Sequence, residues 1–92
     1  MHEYAVAQDI VRSAVAEALC QQEIQIAALH IKLGPEGLTS REALAFSIQA
    51  ACQGTIAEGA DVRITEAQEE GVVLESIEFW EARPCVQLNL PG

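Results

Sequence analysis

Few side chains in this 92-residue chain can do chemistry: two histidines, His2 and His30, three cysteines, Cys20, Cys52 and Cys85, and a surplus of carboxylates. His2 has the most suggestive position. An α-amino group has an ordinary pKa of about 8, so at neutral pH part of it is unprotonated and can donate a lone pair. The His2 imidazole lies one residue away, close enough to close chelate rings with that amine. Backbone amides near Glu3 complete a flat, all-nitrogen set once a metal displaces their protons. Square-planar nitrogen coordination suits Ni(II) or Cu(II), and because each ligand must lose a proton, such binding weakens as pH falls. A bulky residue at position two also predicts that the initiator Met1 is retained, which keeps the amine in register. Two plainer readings compete for His2: the first residue of an ordered strand, and a solvated terminal residue.

The other groups make no constellation. No G-x-S-x-G, H-E-x-x-H or phosphate-binding glycine loop is present, and the runs of carboxylates, such as Glu69-Glu70, read as solvated faces. The cysteines are odd in number, scattered and without C-x-x-C spacing, which fits reduced thiols rather than a disulfide framework or a zinc site. Cys20 and Cys52 are expected to be small buried apolar residues. His30, between Leu29 and Ile31, is expected on the solvated side of a sheet. An enzyme is not expected.

Charge and composition narrow the classes further. Fourteen acidic and five basic residues give a formal net charge of −9, which repels phosphate backbones and argues against nucleic acid as a partner. No apolar run is long enough to span a bilayer. No basic segment followed by an apolar stretch opens the chain, so a signal peptide is not expected and the expected compartment is the cytoplasm. Half of the residues are hydrophobic but only 4% are aromatic. One small core of Ala, Val, Ile and Leu must therefore hold a single domain.

The elements that position these groups follow from periodicity. From Ala5 to about Cys20, Val6, Ile10 and Ala14 form one apolar row and Val11, Val15, Ala18 and Leu19 the next, which predicts an amphipathic helix. Leu29, Ile31 and Leu33 alternate with His30 and Lys32, a half-buried strand. Ile24 and Ile26 alternate on the opposite parity, so a bulge or a late start is expected at Ala27-Ala28. "GPEG" marks a turn. A second helix follows, with Thr39 and Glu42 at capping-box spacing, a Leu44, Ile48, Ala51 and Cys52 stripe, and Gly54 at its C-terminal cap. "EGADVRIT" and "VVLESIEFWEA" read as strands. The order predicts an α+β fold with two helices packed on one face of a small three-stranded sheet. The tail 81–92, alternating at Val86, Leu88 and Leu90 after Pro84, is expected to act as an extra edge strand or as an arm reaching a neighbouring chain.

"MHEYAVAQDIV", "IKLG", "EALAFSIQAACQGTIAEGADVRI" and "LESIEF" together resemble, in order, the hydrogenase/urease nickel-incorporation proteins (the HypA/HybF family). The resemblance covers most of residues 1–80. It implies a nickel metallochaperone domain in which His2, with amine and backbone nitrogens of Met1 to Glu3, binds Ni(II). It also implies a GTPase nickel chaperone and a nickel-enzyme precursor as partners. Glu3 is read as a hydrogen-bond acceptor or partner contact rather than a carboxylate ligand. The family's zinc-binding insertion, with two C-x-x-C motifs before the last strand, is replaced here by residues 66–71, "EAQEEG", so zinc is not expected. Loss of that module, together with the alternating tail, predicts pairing of two chains. The alternative to nickel delivery is a zinc-less adaptor that keeps the fold without delivering metal; an enzyme with a catalytic metal at His2 is the weaker third reading.

Overall fold

The computed structural model describes residues 2–35 and 40–80, and only the backbone of His2 and Glu3. The five elements occur in the expected order: α1 (His2–Cys20), β1 (Ile26–Leu33), α2 (Arg41–Cys52), β2 (Asp61–Glu66) and β3 (Val72–Phe79). The fold is α+β. The sheet order is β2-β1-β3, with β1 parallel to β2 and antiparallel to β3. A parallel neighbour requires a crossover, and α2 supplies it between β1 and β2. Residues 81–92 lie outside the described residues, and with them Cys85 and the expected arm.

Both helices cover one face. α1 lies over β1 and β3, α2 lies over β2, and the two helices pack against each other. Leu29, Ile31 and Leu33 of β1, Ile64 of β2, Leu44, Ile48 and Cys52 of α2, and Ala7, Ile10, Val11, Ala14 and Ala18 of α1 form one buried core. Val6, Val62, Ile77 and Phe79 are half-buried against it. Burying an aliphatic side chain contributes about 1.5–3 kcal/mol, so this cluster holds the two layers together.

Two register shifts reconcile odd spacings with a single core. Ile26 pairs with Phe79 and Ala28 with Glu78, which leaves Ala27 as the extra residue on β1. The expected bulge is therefore present, and it lets Ile26 and Leu29, three residues apart, both face the helices. On β3, His30 pairs with Ser76 and Ile31 with Leu74, so Glu75 is extra; Leu74 and Ile77 thereby share the covered face.

Several expectations need correction. α1 begins at His2 rather than Ala5, which removes the reading of His2 as the start of a strand. Leu19 is exposed, not buried, because it is rotated about 100° off the face that Ala7, Ile10, Val11, Ala14 and Ala18 bury. Cys20, expected inside, is also exposed, whereas Cys52 is buried as expected. The second helix is capped by Ser40, whose Oγ accepts from the Ala43 amide at 3.1 Å; Thr39 lies outside the described residues. One residue after the C-cap Gln53, Gly54 adopts φ 81, the left-handed position that favours glycine at a helix end.

α1 closes differently. The Glu23 amide donates to the Ala18 carbonyl and the Gln22 amide to Leu19, with Gln22 at φ 61. This is the Schellman arrangement, in which the left-handed residue is normally glycine. A side chain there costs about 1 kcal/mol. Gln22→Gly should therefore raise the denaturation midpoint by the equivalent of roughly 0.5–1 kcal/mol, measured by urea unfolding; an unchanged or lower midpoint would contradict it.

Candidate metal centre

α1 sets where the chain start sits. The connection from α1 to β1 is short, and the Glu23–Ala18 hydrogen bond folds it back on the last turn, so α1 runs antiparallel to β1. Nineteen helical residues and eight strand residues have closely matched lengths at about 1.5 and 3.3 Å per residue. His2 therefore lies toward the end of the molecule where β1 finishes. The N-terminus of α2 is at that end too, because Arg41 pairs with Glu66 at 3.3 Å. The connection from β2 to β3, residues 67–71, crosses there: Ala67 donates to the Leu33 carbonyl at 3.0 Å and Gly34 to the Gly71 carbonyl at 2.9 Å.

The first turn of α1 projects past the core. Ala7 is fully buried, while Tyr4 and Ala5 are exposed. Amides of a helix's first turn have no intrahelical acceptor, so the backbone nitrogens of His2 and Glu3 are not committed to the helix ladder. Of the expected ligand set, Met1 and the side chains of His2 and Glu3 lie outside what is described.

The remaining candidates are held elsewhere. His30 is on the open face of the sheet, as expected, but it is engaged rather than merely solvated: its Nε2 lies 2.8 Å from Glu78 Oε2 and its side chain is 27% exposed. Arg63 reaches the same carboxylate at 3.5 Å and Asp61 at 2.9 Å. The hydrogen bond and charge of Asp61, and then Glu78, raise the Arg63 guanidinium above its ordinary value. Lys32 pairs with Glu75 at 3.3 Å. Pairs this exposed contribute little stability, and they leave the open face charge-laced rather than apolar. Sequence reading found His30 but not its Glu78 partner, because the bulge at Glu75 sets that register.

Cys52 faces the core, and burial pushes its thiol above the ordinary value, which keeps it protonated and unsuited to bind metal. Among the described residues, no three histidine, cysteine, aspartate or glutamate side chains come together as a metal-binding group. Residues 67–71 bring neither thiol nor imidazole, so they do not fit the zinc-binding insertion that the resemblance implies.

The "GTIAEGA" segment is locked from within. Thr55 Oγ1 donates to the Cys52 carbonyl at 2.7 Å and accepts from the Ala57 amide at 2.9 Å. Glu58 Oε1 accepts from the Gly54 amide at 3.1 Å, and Ile26 donates to the Ile56 carbonyl at 2.9 Å. The segment thus anchors the start of β1, at the end opposite His2. Among the described residues, no helix is long and apolar enough to cross a membrane.

Comparison with known proteins places this geometry. Residues 1–78 match the family model described as "Hydrogenase/urease nickel incorporation, metallochaperone, hypA". The hydrogenase maturation factor HypA of Azotobacter vinelandii is 35% identical over 66 residues, covering 72% of this chain and 58% of that protein. HypA of Thermococcus sibiricus is 34% identical over 85 residues, 92% of this chain and 55% of that protein. The chain thus spans a little over half the length of these curated relatives. The solution structure of the Ni metallochaperone HypA from Helicobacter pylori superposes with a TM-score of 0.71 at 13% identity, covering 86% of this chain and 97% of that one, a likeness of fold. With a family match running from residue 1 into β3, the chain belongs to the HypA family.

Proposed function

We propose that this chain binds Ni(II) at its N-terminus and hands it on during maturation of a nickel enzyme. The observation that carries this reading is the family match that begins at residue 1 and spans both helices and the sheet. The ligands are the Met1 amine, the His2 imidazole and backbone nitrogens near Glu3. The first turn of α1 supports it, because it projects beyond the core and its amides have no helical acceptor. Nickel is cargo here, and its transfer needs no catalytic side chain. The partners on this reading are a GTPase nickel chaperone and a nickel-enzyme precursor, and the compartment is the cytoplasm.

His2→Ala removes the imidazole of the set. It should abolish the yellow-orange absorption of planar Ni(II), while His30→Ala, whose ring is already held by Glu78, should leave it intact. Retained absorption in His2→Ala would contradict this ligand set and place the nickel elsewhere on the chain. Absorption should also fade as pH is lowered, because protons compete for each nitrogen.

The fold is further proposed to stand without zinc. A structural zinc site supplies folding energy where the core is insufficient, and here a single cluster joins both helices to the sheet. Protein treated with a strong chelator should melt at the same temperature as untreated protein; a large drop would contradict this.

A further inference from the structure

The end of the molecule opposite His2 carries an apolar surface with no described cover. Leu19 is 62% exposed, Ile24 83% and Trp80 56%. They are brought together by the α1–β1 connection: the Glu23 amide bonds Ala18, beside Leu19, and the Trp80 amide donates to the Gln25 carbonyl, beside Ile24. We propose that the C-terminal segment of the same chain, residues 81–92, folds back over this patch and seats Val86, Leu88 and Leu90 on Leu19, Ile24 and Trp80.

Three observations choose this occupant. The segment starts at the patch, since Trp80 is itself one of its walls. Six residues from Trp80 to Val86 span up to about 20 Å, enough to return to Ile24 and Leu19, and Pro84 interrupts any straight continuation of β3. The segment then repeats large apolar residues at every second position, with Glu81 and Arg83 as its only charged side chains. A second copy of the chain must bring its net charge of −9 against an equal charge, which opposes association. A tethered segment faces no such barrier, and its effective concentration is on the order of millimolar.

Trp80 is the sole tryptophan, so its fluorescence reports the contact directly in the full-length protein. Leu88→Asp should shift Trp80 emission to longer wavelength and increase its quenching by acrylamide. Ile24→Ser, a change at an exposed position that leaves the core untouched, should do the same from the patch side. Both effects should be independent of protein concentration. Unchanged emission and quenching in both variants would overturn the proposal. So would a wild-type Trp80 that becomes shielded only as concentration rises, the signature of tails exchanged between two copies.

Discussion

Gly34→Ala is expected to destabilise the fold by about 3 kcal/mol, which for a domain of this size lowers the melting temperature by roughly 15 °C. The reason is the path of the chain between the two outer strands. β2 and β3 flank β1, so residues 67–71 must cross the end of β1. They do so directly against Gly34. A Cβ there would strike the Glu69 carbonyl oxygen and would lie 2.8 Å from the Glu70 Cα and 2.9 Å from the Gly71 nitrogen. All three obstacles are backbone, so no side-chain rotation relieves them. The same crossing is fastened by the Gly34–Gly71 and Ala67–Leu33 hydrogen bonds, which any retreat of the connection would break. Thermal unfolding followed by circular dichroism checks this. Gly54→Ala is the control: its Cβ would meet nothing within 4 Å, and its cost is confined to the left-handed backbone, about 1 kcal/mol. Equal, small losses at both positions would contradict the crossing.

Gly34 also marks a boundary between what the sequence makes legible and what it does not. "GPEG" is readable as a turn because glycine and proline punctuate strands locally. That the first of these glycines accommodates another segment's backbone is a tertiary fact, set by the β2-β1-β3 order, and nothing next to it in the chain encodes it. The alternation at Leu29, Ile31 and Leu33 and the stripe at Leu44, Ile48 and Cys52 identified the covered faces, because burial of one face imposes a period on the chain. The Ala27-Ala28 break foretold the bulge for the same reason. The bulge at Glu75 went unread, since Leu74, Ile77 and Phe79 taken alone look like an ordinary strand with one mismatch. Leu19 and Cys20 follow buried Ala18 by about 100° and 200° of helix rotation, so both turn away from the covered face. Ala7, Ala57 and Ala60 are buried but carry too little apolar surface to stand out in a pattern. The candidate metal site rests on residue type and position alone, His2 behind Met1, and its side chains lie outside the described residues. The start of α1 at His2 was not legible, because the apolar period is readable only from Ala5 onward.

The crossing bears on function through location. Residues 67–71 stand where the resemblance implies a zinc-binding insertion in the family, and they lie toward the same end as the start of α1. A short connection, hydrogen-bonded to the end of β1, occupies that end. On the proposed reading, metal capture falls to the chain start.

Calorimetric titration with Ni(II) of the tag-free protein, beside a version extended by one residue before Met1, tests that assignment most directly. The extension turns the terminal amine into an amide and moves the imidazole out of chelate register, while α1 remains anchored from Ala7 onward and the melting temperature should be unchanged. A nickel site built from Met1, His2 and the backbone near Glu3 predicts that binding to the free N-terminus is lost in the extended protein. Equal affinity in the two proteins would contradict it and would place nickel, if bound at all, elsewhere on the chain.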